Sequence, residues 1–271
     1  MLVGHAGPAK LPSVKRKMIL MRSLGAALLT VSWLRLACPE LMAQMQMPMA
    51  SAATGFNASL AKFFGANTAF SARAEAMIQE KVTGETTTIP MGFALLGGKI
   101  RMELDLTQIK NKQLTAEAMA MVKGMGMSQM TSLILPERKV TCVVYPSLHA
   151  YVELPLGEDQ GGAADLKIMR VEVGKETVEG HPCVKQKVSV TDRKGRNQEG
   201  FTWNATDLKD FPIRMEFTDT DARITMTFRN IKLSPPDAAS FEAPAGFTKY
   251  ADMEALMSAM VQKSIGGPAR N

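Results

Sequence analysis

The sequence predicts a mainly β protein, built as a half-open, curved antiparallel β-barrel that a few short helices cover. Three stretches carry this prediction, because apolar and polar residues alternate in each, which is typical of antiparallel strands with one apolar and one solvated face. Their apolar members are Ile100, Met102, Leu104 and Leu106, then Ile213, Met215 and Phe217, and then Ile224, Met226 and Phe228. No βαβ spacing is present, so a parallel sheet is not expected.

The covering helices are expected in three places. Four apolar residues at helical spacing share one face of the first: Phe56, Leu60, Phe63 and Phe64. Thr115 can cap a second helix that continues through Lys123, and the apolar stripe of a third begins after Asp252. The chain has neither an internal repeat nor an interior linker, so we expect residues 56–265 to form one β-rich domain, followed by a tail at residues 266–271.

The composition is that of a globular protein, with 271 residues, 46% of them apolar and 21% charged. A formal net charge of +6 would suggest a nucleic-acid-binding protein. However, residues 1–43 hold six lysines and arginines against one glutamate, so nearly all of the net charge lies in that segment. We therefore expect no nucleic-acid partner.

The same N-terminal segment has the three parts of a secretory signal peptide. Residues 15–17 are basic, residues 24–31 form an apolar run, and residues 41–43 are a Leu-Met-Ala sequence suited to cleavage. The apolar run is short and interrupted for a membrane span. We therefore expect a signal peptide over residues 1–43 and, after its removal, a periplasmic or secreted protein with peripheral or no membrane contact.

Both the start of the signal peptide and its cleavage site have an alternative. Translation can also start at Met18 or Met21, because the residues before them add nothing that a signal peptide needs. Cys38 follows a sequence similar to a lipobox, although Arg35 stands where such a box requires an aliphatic residue. A lipoprotein anchored through Cys38 is therefore the alternative to ordinary cleavage. Residues 44–55 are expected to form a flexible Met- and Ala-rich lead-in.

Cleavage after Ala43 leaves two cysteines, Cys142 and Cys183. In an oxidising compartment, an even number of cysteines permits one disulfide. Both cysteines lie in apolar, strand-like segments, where an unpaired cysteine can also act as a small buried apolar side chain. The sequence leaves both roles open.

The sequence contains no familiar catalytic or phosphate-binding motif, such as G-x-S-x-G, a P-loop or H-E-x-x-H. His149 and His181 are far apart in the sequence and lack neighbours at the spacing of metal ligands. We therefore expect a protein that is not an enzyme and holds no cofactor.

Methionine is the one chemically suggestive residue type, with 21 in the chain. Thioether sulfurs suit Cu(I), and Met45, Met47 and Met49 alternate in the lead-in, so a Met-rich copper site is an alternative function. Other methionines, such as Met102 and Met215, lie on predicted apolar strand faces, where methionine is an adaptable filler. Their distribution favours packing or a pliable lipid-facing surface over copper binding.

Five segments, taken in order, resemble the exported domain of unknown function 4412, whose layout is similar to that of the periplasmic lipoprotein carrier LolA family. They are residues 98–103 (GKIRME), 133–154 with a turn of sequence PERK, 174–185 (GKETVEGHPCVK), 203–208 (WNATDL) and 241–247 (FEAPAGF). The third and the fifth are the most specific of them. Together they span most of the predicted domain.

The resemblance implies a half-open barrel whose concave apolar face holds lipid or lipoprotein acyl chains under a lid of short helices. The residues expected to line this cavity are Met102, Leu104, Trp203, Met215, Phe217, Met226 and Phe228. The same alternation fits a closed core with no room for a ligand. The leading function is therefore a non-catalytic lipid-binding protein of the bacterial envelope, and the alternative is a filled-barrel structural or interaction protein.

Overall fold

The structure is a computed structural model that describes residues 60–156, 167–191, 195, 197–218 and 220–265. The chain divides into two compact units, Met1–Pro48 and Met49–Asn271, and every described residue belongs to the second. The predicted signal peptide, the lead-in and the tail at residues 266–271 lie outside the described residues, as does Phe56 of the first predicted helix.

Twelve strands of the described residues form one sheet. They are β1 (Ala69–Glu80), β2 (Thr86–Leu96), β3 (Lys99–Asp105), β4 (Gln129–Leu135), β5 (Val140–Tyr145), β6 (Ala150–Pro155), β7 (Lys167–Val178), β8 (His181–Thr191), β9 (Asn197–Ala205), β10 (Phe211–Thr218), β11 (Ala222–Lys232) and β12 (Thr248–Tyr250). The α-helices are α1 (Ala116–Gly124) and α2 (Met253–Ile265), and the short 3₁₀ turns include Ala61–Phe64 and Ala238–Phe241. The prediction of a mainly β chain with short helices is confirmed.

The strand order is β12-β6-β5-β4-β3-β2-β1-β11-β10-β9-β8-β7. Two antiparallel meanders, β1 to β6 and β7 to β11, therefore meet at a seam between β1 and β11. Only β12 runs parallel to its neighbour, β6. β12 and β7 remain at opposite edges, so the sheet curves without closing, as the sequence predicts.

The two faces of the sheet follow from the register. Residues that pair across strands share a face, and one such row runs through Ile89, Ala76, Met226, Met215 and Thr202. These residues belong to the largest buried cluster or pair directly with it, and we call this side the concave face. Small alanines on β1 (Ala72, Ala74, Ala76) leave room there for larger side chains on the strands beside them.

The opposite face carries most of the charge and a second, smaller apolar cluster. Leu133, Leu135, Cys142 and Val144 form that cluster on β4 and β5, and Phe247 packs against it from the segment before β12. Thr115 caps α1 as predicted, since its hydroxyl accepts a hydrogen bond from the Ala118 backbone N–H at 3.2 Å.

The two predicted candidates for a disulfide are not joined. Cys142 lies on β5 and Cys183 on β8, both thiols are free and buried, and β4, β3, β2, β1, β11, β10 and β9 lie between the two strands. The disulfide alternative is therefore wrong, and both cysteines act as small buried side chains. None of the helices in the described ranges is long and apolar enough to cross a membrane.

Candidate functional site

Four of the seven predicted lining residues meet on the concave face at β10 and β11. Met215 lies directly across from Met226, and Phe217 lies across from Ile224, two residues before Met226. All four, including Phe228, are buried, and Met215 and Phe228 have no exposed surface. The predicted strands therefore bring these side chains together, but in a packed arrangement.

Met102 and Leu104 reach the same face from β3, on the other side of the seam. Met102 pairs with Phe93 and Leu104 pairs with Met91, and both partners belong to the concave cluster. Leu104 is buried and Met102 is half-buried. The concave face therefore continues across the centre of the sheet.

Trp203 is buried and belongs to the large buried cluster, but the register of β9 places it on the other side of the sheet from Met215. Its register partners are Lys185 and Arg214, whereas the preceding residue, Thr202, pairs with Met215. The indole Nε1–H donates a hydrogen bond to Glu176, and the Lys185 ammonium lies 4.8 Å from the ring centroid. An indole N–H requires a hydrogen-bond acceptor, and the charged face supplies a carboxylate together with two cations.

Two phenylalanines of the Ala61–Phe64 turn fill the concave face. The Phe64 ring centroid lies 4.6 Å from that of Phe70, 5.3 Å from that of Phe211 and 5.4 Å from that of Phe228. The Phe63 ring packs edge-on against Phe217 at 5.2 Å. We call residues 61–64 the plug, because their aromatic rings occupy the space that an acyl chain would need.

Side chains outside the plug donate hydrogen bonds to its backbone carbonyls. The Arg170 guanidinium on β7 donates to the Lys62 carbonyl at 3.3 Å. Asn67 donates from Nδ2 to the Phe64 carbonyl at 3.3 Å and to the Lys209 carbonyl at 3.0 Å. Hydrogen bonds therefore hold the plug backbone, and ring packing holds the Phe63 and Phe64 side chains.

Three buried oxygens interrupt the apolar concave side of β8 and β9. They are Gln186 Oε1, Thr202 Oγ1 and Asn204 Oδ1, and none has a hydrogen-bond partner in the part of the chain that the structure describes. Gln186 pairs directly with Thr202, and Asn204 follows two residues along the same strand. We call these three residues the polar trio. The Asn204 amide nitrogen donates to the Asp210 carbonyl at 2.9 Å, which leaves Oδ1 as an acceptor.

The sequence analysis missed both the trio and the filling role of the plug. In residues 201–205, the apolar Phe201, Trp203 and Ala205 alternate with Thr202 and Asn204, so the alternation alone predicts a solvated side for the two polar residues. The buried Thr202 and Asn204 became visible only through the register of β9 against β10. The helical spacing of Phe63 and Phe64 predicted a covering element, but not where it would pack.

The charged face carries an open groove of about 640 Å³. Its lining includes Arg73, Glu75, Arg101, Glu103 and Arg229, and the charges nearly balance. Arg101 donates to Glu103 at 2.6 Å, while Arg229 lies 3.8 Å from Glu75. Apolar residues, including the predicted lining residue Leu104, also contribute to the groove, but the groove is open and about half polar. It therefore differs from the enclosed apolar cavity that the sequence predicts.

No metal site accompanies these features in the described ranges, where no group of three or more His, Cys, Asp or Glu residues could hold an ion. His181 Nδ1 lies 2.7 Å from Asp207 Oδ2, and the His149 ring packs on Phe247. The methionines of the copper alternative, Met45, Met47 and Met49, lie outside the described residues.

No protein-family model matches the chain, and no curated protein matches it. Solved structures with a similar arrangement include the Mycobacterium tuberculosis lipoprotein LppX, at 12% identity and a TM-score of 0.37 over 74% of this chain and 99% of that chain. A chain of the Pseudomonas aeruginosa MucA/MucB complex matches at 15% identity and a TM-score of 0.35, over 69% of this chain and 61% of that chain. A putative outer membrane lipoprotein-sorting protein domain from Vibrio parahaemolyticus matches at 11% identity and a TM-score of 0.27, over 70% and 97%. Likenesses at such low TM-scores carry no argument about what this chain binds.

Proposed function

We propose that the chain is a non-catalytic protein of the bacterial envelope that binds a lipid acyl chain on its concave face. In this proposal the plug occupies the face until an acyl chain takes its place. The polar trio then meets the polar end of the ligand, which carries a hydrogen-bond donor such as a hydroxyl or an amide N–H.

The polar trio is the observation that carries this proposal. A buried oxygen without a hydrogen-bond partner costs about 1–3 kcal/mol, and three lie together on one side of β8 and β9. A core that only had to be filled would be more stable with apolar residues at these positions. If a ligand supplies the missing hydrogen-bond donors, the presence of three unpartnered oxygens on one side of β8 and β9 is explained.

The energies permit an acyl chain to replace the plug. Withdrawing two phenylalanine side chains from a core costs about 3–6 kcal/mol, at roughly 1.5–3 kcal/mol each. Burial of an alkyl chain contributes about 0.8 kcal/mol per CH₂, so about eight methylenes already offset the loss.

The expected signal peptide and the resemblance to the exported domain 4412 support a location in the envelope.

The first test compares two ligands with the same acyl chain. Palmitamide has N–H donors at its polar end and methyl palmitate has none. Each would be titrated against a bound fluorescent fatty acid on the purified, detergent-free chain. We expect palmitamide to bind about 2- to 10-fold more tightly, which is the value of one hydrogen bond. Binding of neither ligand would contradict the proposal.

Thr202→Val is the matched variant, because it keeps the shape of the side chain and removes the unpartnered hydroxyl. We expect the ligand-free variant to be more stable than the parent by about 1 kcal/mol. We also expect its preference for palmitamide to shrink. If Thr202→Val still preferred palmitamide to methyl palmitate as strongly as the parent does, the polar trio would not contact the polar end of the ligand. Val82→Ala, at an exposed turn, should change neither quantity.

A filled-barrel structural or interaction protein is the second candidate, and the packing of the concave face favours it. The ring of Phe64 contacts Phe70, Phe93, Phe211 and Phe228 at once. Native mass spectrometry of the chain after expression in a bacterium separates the candidates. Adducts that extract as acyl lipids support the first, and a clean mass combined with no uptake of added ligand supports the second.

A further inference from the structure

One edge of the sheet is long and largely exposed. β7 has 12 residues, and no described residue pairs with its outer side. Met169, Val171 and Val173 are 69%, 60% and 51% exposed, an unusual degree for apolar side chains in a strand. The other edge strand, β12, has only three residues and leads into α2, so it offers little to a partner. Long apolar edges invite pairing with another strand.

The two faces of β7 carry different chemistry. Met169 and Val171 lie across from Ser189 and Lys187, so their side chains share the charged face. Arg170 and Glu172 lie across from Val188 and Gln186, on the concave side. Along the strand, the apolar side chains on one face therefore alternate with a cation, Arg170, and an anion, Glu172, on the other face.

This alternation is self-complementary about Val171. When two copies of β7 run antiparallel with Val171 opposite Val171, Arg170 of each copy faces Glu172 of the other. Met169 of each copy then faces Val173 of the other. Opposite charges and apolar pairs directly across a ladder are both favourable. A twofold axis perpendicular to the sheet keeps each face continuous with its counterpart.

We propose that two copies of this chain associate through antiparallel pairing of their β7 strands about Val171. The second copy supplies backbone partners to the open edge, a cover for the exposed apolar stripe and two Arg170–Glu172 ion pairs. This inference does not depend on ligand binding, but both charged residues also have partners within one copy: Arg170 donates to the Lys62 carbonyl of the plug, and Glu172 lies 3.9 Å from Lys175.

A bulge limits the length of the new ladder. The register between β7 and β8 shifts between Glu172 and Gly174, and a bulge bends a strand and disturbs its pairing. The ladder is therefore confined to about five residues, from Met169 to Val173, and the area it buries is small. We expect a dimer that dissociates on dilution rather than an obligate one.

Disulfide trapping tests the register directly. Opposite residues in an antiparallel pair have Cα atoms about 4.5–5.5 Å apart, which lies within the range that a disulfide spans. Under mild oxidation, we expect Val171→Cys in a Cys38→Ser background to form a covalent dimer. Val82→Cys is the matched control, because Val82 is the same residue type, is 92% exposed and lies in the turn between two interior strands, β1 and β2. It should remain monomeric.

Charge reversal tests the ion pairs without relying on a covalent link. Sedimentation velocity of the full chain over a concentration series should show weaker dimerisation for Arg170→Glu and for Glu172→Arg, since each places like charges opposite each other. The double variant restores opposite charges, so its dimerisation should return to the parental level. Thermal melts of all three variants exclude unfolding as the cause.

Two results would overturn the proposal. One is a parent chain that stays monomeric at every concentration. The other is a dimer that persists while Val171→Cys fails to cross-link beyond the Val82→Cys control, because that dimer would use another surface.

Discussion

Glu179 accepts a hydrogen bond at Oε2 from Arg229 Nε at 2.8 Å and another at Oε1 from Arg229 Nη2 at 3.0 Å. Glu179 lies in the tight turn between β7 and β8, whereas Arg229 lies on β11. β10 and β9 separate β11 from that hairpin in the sheet, and the same carboxylate also lies 4.0 Å from Arg214 on β10. Positive φ angles at Glu179 and Gly180 give the turn the geometry of a two-residue hairpin.

The Glu179–Arg229 contact should make stability depend on pH on the acid side. Hydrogen bonding to Arg229 lowers the pKa of Glu179 below its ordinary value. The stabilisation is therefore present above the unfolded-state pKa of about 4.3 and is lost as the pH falls through the lower folded-state pKa. We expect Glu179→Gln to lose less than about 1 kcal/mol at pH 7, because Arg229 is partly exposed.

Urea unfolding of the parent and Glu179→Gln at neutral and acidic pH measures this effect. The two curves should converge in acid, where the parental carboxylate is protonated. Glu137→Gln, in the exposed turn before β5, should follow the parent throughout. An equal loss for Glu179→Gln at both pH values would show that the ion pair is not responsible.

Met215 and Met77 provide a matched pair for the packing of the concave face. Met215 has no exposed surface, whereas Met77 is 40% exposed on β1. We expect Met215→Ala to lower the free energy of unfolding by about 2–5 kcal/mol and Met77→Ala by less than about 1 kcal/mol. Denaturant titration measures both, and similar losses for the two variants would contradict a packed concave face.

Gly200 allows β9 to lie close to β10 and to the Phe217 ring. A Cβ at position 200 would stand 2.3 Å from the Glu216 carbonyl oxygen and 2.5 Å from Phe217 Cδ1. The carbonyl is backbone and cannot turn away, so we expect Gly200→Ala to cost about 1–3 kcal/mol or more.

Gly174→Ala is the control for this substitution, because a Cβ there meets nothing within 4 Å and φ is not positive. It should be neutral or stabilise the fold by about 0.4–1 kcal/mol through the unfolded state. Thermal melts of the two variants give the comparison. If Gly200→Ala melted no lower than Gly174→Ala, the close approach would not constrain the strand.

The two buried thiols should be unreactive in the folded protein. Burial raises the pKa of Cys142 to about 11 and also raises the pKa of Cys183. The thiolate is the reactive form. In a Cys38→Ser background, we expect an aromatic disulfide reagent at pH 8 to label neither thiol before unfolding and both after addition of denaturant. Rapid labelling of the native chain would contradict their burial, and failure to label the unfolded chain would indicate a disulfide.

The alternating stretches predicted the strands well because each had polar residues on one side and apolar residues on the other. Ile100 to Leu104 and Ile224 to Phe228 lie in β3 and β11 with the expected apolar faces, whereas Leu106 begins a 3₁₀ turn just after β3. Trp203 failed this reasoning, since apolar residues alternate through β9 on the face that turned out to be charged. There the ring is only 5% exposed and contacts a carboxylate and two cations, and no single-strand pattern contains that information.

The candidate site was predictable only in part, because alternation within one strand predicts some of its contacts and not others. Met215 and Met226 share a face in any antiparallel hairpin of this register, so their meeting followed from alternation. The plug and the polar trio depend on contacts between segments distant in sequence, such as Phe64 against Phe228 and Gln186 against Thr202. Local periodicity does not record such contacts.

The seam between β1 and β11 sets the order in which the chain can fold. Within each meander, consecutive strands pair directly, and all of their connections are short except the one from β3 to β4, which contains α1. The seam, in contrast, joins residues as distant as Ala74 and Phe228. Loop-closure entropy and contact order both make such a pairing slow. The two meanders should therefore form first and dock last. Until they dock, β1 and β11 are edge strands whose outer backbone groups lack a strand partner. Substitutions at the seam should slow refolding, whereas substitutions at β5 or β8 should mainly hasten unfolding.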